Sequence, residues 1–331
     1  MKSILVTGGA GYIGSHTVKA LLDAGYDVHV LDNLASGVRE AVDVRAHFKE
    51  LDVYDESALK AYLQSYKIDA VLHCAGEIFV SESIENPSKY FSANVAGMNQ
   101  VLKVLSEVGI DKIIFSSTAS VYGNNCMDKP ANEDTLLNPV NPYAETKLMG
   151  ERMIYWMANR YSWKYVIFRY FNVAGAAMDA SNGLRVKNPT HIIPNINKTA
   201  LGQNDALKIY GDDYETRDGS CIRDYIHVLD LAQAHVKGFD YLFTDSSTSQ
   251  IFNLGTEQGY TVKEIYNTAE QILQQKIPHE IVARRSGDPA SVLANASKAK
   301  EFLNWQATYS LKDIIFSDYR WRVKAGNSIV E

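Results

Sequence analysis

The first fourteen residues constrain this chain more than any other stretch. Ile4-Leu5-Val6 is a short apolar run rich in β-branched residues, which predicts a buried strand. Thr7-Gly8-Gly9-Ala10-Gly11-Tyr12-Ile13-Gly14 follows at once, and Val18, Leu21 and Leu22 then recur at helical spacing up to Gly25. Strand, glycine turn and helix in that order give the glycines their meaning. Gly9, Gly11 and Gly14 fit G-x-G-x-x-G, and Gly8, Gly11 and Gly14 fit a wider-spaced variant. Such glycines allow a tight turn, close backbone approach to a pyrophosphate, and close packing of helix on strand. The free N–H groups at the helix start, where Tyr12 and Ile13 stand, offer the positive dipole end to phosphate. The plainer alternative is a tight turn that holds no ligand.

The bulk properties exclude several classes. A formal charge of −6 leaves no basic footprint for nucleic acid or an anionic membrane. No apolar stretch reaches the length of a membrane span. The chain starts in a core strand, which predicts no signal peptide and a cytoplasmic location. Cys74, Cys126 and Cys221 are odd in number and scattered, so a reducing compartment is expected rather than disulfides. The eight histidines show no ligand spacing along the chain, and no metal is expected.

A second strand, Asp27 to Leu31, ends at Asp32-Asn33. Asp32 lies eighteen residues after Gly14, near the spacing of a carboxylate that takes the ribose 2′-hydroxyl. A carboxylate there repels a 2′-phosphate, so NAD is expected over NADP. Phe48 to Leu51 predicts a strand ending at Asp52-Val53, with Asp52 a candidate for the adenine edge. A helix over 57–66 precedes the buried strand Ala70 to His73, which is capped by the small residues Cys74-Ala75-Gly76. A helix carrying Asn94 leads to the strand Lys112 to Phe115 and then to Ser116-Ser117-Thr118. Strands alternating with helices over the first 170 residues predict an α/β fold whose parallel sheet is covered on both faces. In such doubly wound sheets ligands sit at the carboxyl ends of strands, where each polar strand end above falls.

Two prolines, Pro139 and Pro142, lead into a long helix over 143–161, with Tyr143 and Lys147 on one face of its start. The strand Tyr165 to Arg169 runs into Tyr170-Phe171-Asn172. After residue 173 the alternation weakens, so a domain of residues 1–173 and a smaller mixed α/β domain of residues 174–331 are expected. A segment near 224–243 is expected to pack back on the first domain.

A tyrosine serves as acid and base if its pKa falls from about 10 towards neutrality. Lys147, one turn along, supplies a cation that stabilises the phenolate of Tyr143, and an oxidised nicotinamide pushes the same way. Thr118 is the candidate to orient a substrate hydroxyl, with Ser117 and Ser116 as near alternatives. Alone, a Tyr-x-x-x-Lys pair arises often by chance. Behind a nucleotide turn, an acid at the second strand end and a hydroxyl-rich strand end, it points to hydride transfer.

These motifs resemble the extended short-chain dehydrogenase/reductases. The likeness rests on Thr7 to Gly14, Asp32-Asn33, Asp52-Val53, Asn94, Thr118, Tyr143 with Lys147, and Arg169 to Asn172. Ile222 to His227 and Arg285-x-Gly287-Asp288 are similar to the nucleotide-sugar branch that epimerises UDP-glucose and UDP-galactose at C4. The resemblance implies a Rossmann-type first domain, tightly held NAD, a UDP-hexose substrate and a homodimer formed through the helices after Ser88 and Tyr143. It implies that Tyr143 is the base, that Thr118 orients the sugar and that Lys147 bridges to the nicotinamide ribose. It also implies a cofactor site of Gly8, Gly11, Tyr12, Ile13, Gly14, Asp32, Asn33, Asp52, Val53, Cys74, Ala75, Gly76, Asn94, Ser116 and Tyr170. For the substrate it implies Phe171, Asn172, His191, Tyr210, Arg223, Tyr225, Arg285, Asp288 and Val292. Arg223 and Arg285 suit a diphosphate through forked, charge-assisted bonds. Tyr210 suits stacking on uracil, and Asp288 suits the uridine ribose.

The chain departs from this pattern in places. Ile78 stands where the family often has a lysine reaching the cofactor phosphates, so weaker NAD retention is expected. Ser81 replaces a glycine, and His191 replaces an asparagine. Val292 stands where bulk limits the sugar C2 substituent, so N-acetylhexosamines are expected to fit as well. A 4,6-dehydratase needs acids beside the hydroxyl residue, whereas Ala119 and Ser120 follow Thr118. A 4-epimerase for a UDP-pentose or for N-acetyl sugars alone stays open. So does a regulator that senses NAD without turnover.

Overall fold

The apolar runs near the N-terminus pair side by side in a computed structural model, which describes residues 1–125, 129–186, 188–285 and 288–326. Cys126 and Gly287 lie outside the described residues. In chain order the first elements are β1 (Ser3–Thr7), α1 (Tyr12–Asp23), β2 (Asp27–Asp32), β3 (His47–Glu50), α2 (Glu56–Ser65) and β4 (Ala70–His73). Short helices α3 (Val80–Glu85) and α4 (Pro87–Tyr90) follow, then a π-helical stretch over Phe91–Ala96 and α5 (Gly97–Val108). Next come β5 (Lys112–Thr118), α6 (Pro142–Tyr161) and β6 (Lys164–Tyr170).

The second half contains β7 (Asn172–Ala174), α7 (Ile192–Ala200), β8 (Leu207–Tyr210), β9 (Ile222–His227), α8 (Val228–Leu242) and β10 (Gln250–Leu254). It ends with β11 (Gly259–Thr261), α9 (Val262–Leu273), β12 (His279–Val282), β13 (Ser291–Val292), α10 (Ser297–Leu303) and α11 (Leu311–Ala325).

Seven strands form one parallel sheet in the order β10-β6-β5-β4-β1-β2-β3. The expected doubly wound α/β architecture is what the chain adopts. Alternation along β1 shows why both faces are covered: Ile4 and Val6 enter one apolar cluster, and Leu5 enters the other. Each fully buried aliphatic side chain of this kind contributes about 2 kcal/mol of transfer free energy. The strand order reverses between β1 and β4, and that switch point opens the crevice where ligands of such sheets bind.

β10 joins this sheet beside β6, although it lies some eighty residues further along the chain. α8 packs against α1, so the chain returns to its first half after starting its second. The remaining strands build two small sheets: β9 with β7, β11 and β13, and β8 with β12. Their apolar core includes Ile193, Ile209, Ile265 and Ile314.

Candidate active site

The glycine turn closes against the neighbouring strand end. Gly8 has φ +72°, and a Cβ there would stand 2.6 Å from the Ala75 amide nitrogen. A Cβ on Gly14 would stand 2.2 Å from the Gly8 carbonyl oxygen. Both positions exclude any other residue, which brings α1 and the end of β4 onto the turn. α1 begins at Gly11 with no side-chain cap, so its first-turn N–H groups are left to face the crevice. Asp32 accepts from the Ala10 amide at 2.9 Å and from the Leu34 amide at 2.9 Å, fixing the end of β2 to the turn. Asn33 donates to Asp52 at 3.2 Å.

One cavity of about 1390 Å³ begins here. Its lining includes Gly8, Gly11, Tyr12, Ile13, Gly14, Asp32, Asn33, Asp52, Val53, Cys74, Ala75 and Gly76. The same cavity takes in Thr118, Tyr143, Lys147, Tyr170, Phe171, Asn172, His191, Tyr210, Arg223, Tyr225, Arg285 and Asp288. A cradle without Cβ atoms, an uncapped helix start and a carboxylate at the end of β2 together fit a dinucleotide such as NAD.

α6 starts where the sequence demands. The Asn141 side chain accepts from the Ala144 amide at 2.9 Å, and Pro142 occupies the first turn. That fixes Tyr143 and Lys147, both buried, over the end of β5. The Tyr143 hydroxyl stands beside Thr118. Thr118 also donates to the Ser120 hydroxyl at 3.1 Å. Lys147 donates to the Ser116 carbonyl at 3.0 Å and lies 5.0 Å from the centre of the Phe115 ring.

The electrostatics correct one expectation. Burial pushes Tyr143 up to about 12, and only Thr118 pulls it down. Burial also pushes Lys147 down to about 8. Desolvation dominates, so the protein's own groups do not bring Tyr143 towards neutrality. Burial raises Tyr170 too, with Tyr143 the next cause. Burial lowers His191, and Arg285 acts in the same direction.

Three residues expected in the site stand off the cavity wall. Asn94 is buried and fully engaged: its Oδ1 accepts from the Glu77 amide at 2.8 Å, and its Nδ2 donates to Glu77 O and Thr146 Oγ1. It fastens the segment after Gly76. Ser116 lies behind the wall, where its hydroxyl meets Cys74 Sγ at 3.0 Å. Val292 packs against the cluster of Ala119, Val121, Tyr122 and Phe171. Val292 therefore backs the wall instead of forming it.

In the second half Arg223 forms an ion pair with Asp288 at 2.5 Å, and Arg285 lies over the Tyr210 ring at 4.0 Å. One face of Tyr210 is thus occupied by a guanidinium, not free for a base. Arg185, Asn195, Lys208 and Asp318 also line the cavity. They sit in irregular or second-half segments with no motif to mark them.

Behind the site, Arg169 and Glu151 form a buried ion pair at 2.6 Å. Ser117 donates to the same carboxylate at 2.5 Å, and Arg169 donates to the Tyr122 hydroxyl at 3.1 Å. Ser117 is therefore committed to Glu151, which leaves Thr118 as the strand-end hydroxyl next to Tyr143.

The chain matches the NAD dependent epimerase/dehydratase family over residues 4–255. It is 45% identical over 320 residues to the UDP-glucose 4-epimerase of Lacticaseibacillus casei, covering 96% of each chain. A solved UDP-glucose 4-epimerase superposes with a TM-score of 0.96 at 43% identity, covering 100% of both chains. The enzyme of Bifidobacterium longum, solved in complex with NAD+ and UDP, gives 0.92 at 37% identity, with 98% of this chain and 99% of that one covered. With a glycine cradle, a Tyr-x-x-x-Lys helix and these likenesses together, the chain belongs to the NAD dependent epimerase/dehydratase family.

Proposed function

We propose that this chain catalyses the reversible C4 epimerisation of UDP-glucose and UDP-galactose with tightly held NAD. The observation that carries this reading is a single cavity. It holds the glycine turn and the Arg223 and Arg285 guanidinium groups, and within it Tyr143 stands beside Thr118. The named likenesses to UDP-glucose 4-epimerases, one of them holding NAD+ and UDP, support it.

The turn of Gly8, Gly11 and Gly14, with the N–H groups of Tyr12 and Ile13, would hold the NAD diphosphate. Asp32 and Asn33 would take the adenosine ribose, and Asp52 and Val53 the adenine. Tyr143, Lys147 and Tyr170 would meet the nicotinamide end, with Cys74, Ala75 and Gly76 beside it. When bound, NAD supplies the hydride acceptor and, in the return step, the donor. Tyr143 takes the proton of the sugar 4-hydroxyl and later returns it. The Thr118 hydroxyl orients that oxygen. Lys147, anchored on the Ser116 carbonyl, and the cationic oxidised nicotinamide when bound would favour the phenolate form of Tyr143 before it takes that proton. Arg223 and Arg285 hold the UDP diphosphate while the 4-keto sugar turns, with Asn172, His191, Tyr210, Tyr225 and Asp288 around it and Phe171 on the wall. In this reading the cofactor would lie mainly on residues 1–173, while the sugar nucleotide would lie between residues 174–331 and Thr118, Tyr143, Phe171 and Asn172 of the first part.

We place the protein in the cytoplasm as a homodimer. Cys74 and Cys221 are unpaired thiols, which suits a reducing compartment. No helix among the described residues is long and apolar enough to cross a membrane. Ile84, Phe91, Tyr155 and Trp156 are exposed on α3, the stretch after α4, and α6. Such apolar surface suits a partner copy.

The test incubates pure protein with UDP-glucose, UDP-galactose and their N-acetyl counterparts, with no cofactor added. Interconversion, with NAD released on denaturation, is expected. NAD bound without turnover would instead mark a sensor.

A further inference from the structure

Three side chains that play no part in the cavity converge at the opposite ends of the strands. Asp27 and His29 lie two apart on β2, so they share one face of the sheet. His47 opens β3 and pairs in register with His29. The His47 Nε2 atom stands 3.1 Å from Asp27 Oδ1, and His29 Nε2 stands 3.4 Å from Asp27 Oδ2. One ligand atom from each residue lies within 4.8 Å of the other two. The two imidazole rings are stacked 4.6 Å apart.

We propose that Asp27, His29 and His47 form a binding site for a divalent cation of the zinc type. Two imidazole nitrogens and one carboxylate are a donor set that zinc and its first-row neighbours favour. Ligand bonds of about 2.1 Å at tetrahedral angles place ligand atoms about 3.4 Å apart, and each histidine nitrogen stands within 3.1–3.4 Å of one of the two Asp27 oxygens. The pocket is built on sheet backbone, so its spacing does not depend on a flexible loop. His29 is buried, while His47 is 58% exposed and Asp27 35%, which leaves a coordination position open to solvent.

The surroundings fit a metal ligand as well. His29 Nδ1 lies 2.7 Å from the Tyr62 hydroxyl. With Nε2 on the metal, Nδ1 carries the hydrogen and donates it to Tyr62, the outer partner a ligating histidine needs. Tyr66 closes the other side, its ring 4.7 Å from that of His29. Ser3 donates to Asp27 Oδ2 at 2.9 Å and orients the carboxylate. Asp32, which faces the cavity, is three residues further along β2, about 10 Å away. The cation therefore clips β1, β2, β3 and α2 together without entering the crevice.

The test uses the full chain, free of any histidine tag and loaded with NAD, titrated with ZnCl₂ by calorimetry and with CoCl₂ by visible absorption. One ion per chain is expected, with the strong visible bands of four-coordinate cobalt. His47→Ala, at an exposed position, abolishes binding, and Asp27→Asn does the same. Tyr62→Phe weakens it about tenfold by removing the outer partner. His279→Ala, at an exposed histidine on β12, leaves it unchanged. Absence of saturable binding overturns the proposal, as does equal affinity in the His47→Ala and Asp27→Asn chains. Both readouts are independent of epimerisation.

Discussion

The Lys147 ammonium donates a 3.0 Å hydrogen bond to the carbonyl oxygen of Ser116, so the cation of α6 is tied to β5. That bond is bought with desolvation, which takes Lys147 from its ordinary 10.5 down to about 8. Between about pH 8 and 10.5 the unfolded chain holds this proton and the folded chain does not. Stability from this group therefore rises with pH across that window, by up to about 3 kcal/mol. In Lys147→Met the rise is absent. Urea denaturation of both proteins at several pH values from neutral to 10 checks it. A stability difference that stays constant with pH would refute the assignment.

Tyr143 contributes one hydroxyl, which stands beside Thr118. Tyr143→Phe keeps the ring in its buried place and removes only the proton acceptor. Turnover is expected to fall about 10²- to 10⁴-fold, while bound NAD, read after denaturation, stays at the parent level. A variant within a factor of a few of the parent rate would move the base elsewhere.

The parts of this site that could be read in advance are those whose signal is local. Gly8 to Gly14 announces itself because turn, helix start and strand are contiguous. Tyr143 and Lys147 announce themselves because four residues make one helical turn. Where distant segments meet, the signal disappears. β10 pairs with β6 only because α8 carries the chain back over α1, and nothing local in residues 250–254 states that partner. The Arg223–Asp288 pair and the Arg285–Tyr210 stack depend on how β9, β8 and the loop after β12 come together. Asn94 looked like a ligand residue but serves the backbone of Glu77. Its residue type is the same for either role.

The Arg169–Glu151 pair is buried on both sides, at 2% and 4% side-chain exposure. Removing one partner strands the other charge. Glu151→Leu is expected to cost about 3–5 kcal/mol, and Ser117 loses its acceptor at the same time. The double variant Glu151→Leu, Arg169→Met should recover part of that loss, since no bare charge remains. Equilibrium denaturation of the three proteins tests this, and a double variant no better than the single one would sink the charge argument.

Trp156 is 69% exposed on α6, beside Tyr155. If these rings meet a second copy, Trp156→Asp places a charge in an apolar contact and shifts the protein to monomers. Light scattering over a concentration series reads the change. A parent that is monomeric throughout, or a variant that assembles as the parent does, would rule that face out.

Ile78 lines the cavity two residues after Gly76 and is 52% exposed. The neighbouring Glu77 is paired with Lys89 at 3.2 Å, so that lysine's charge is partly spent. An isoleucine there adds apolar surface but no charge for a diphosphate. Ile78→Lys would add a flexible cation at a half-exposed position, where an ion pair contributes about 0.2–1 kcal/mol. NAD release is expected to slow about twofold to fivefold at low ionic strength. The gain should shrink in about 1 M salt, where charges are screened over about 3 Å. Release from the loaded protein, followed by trapping the freed cofactor at both salt concentrations, decides the matter. A release rate equal to the parent's at low salt would show that the Ile78 position does not reach the phosphates.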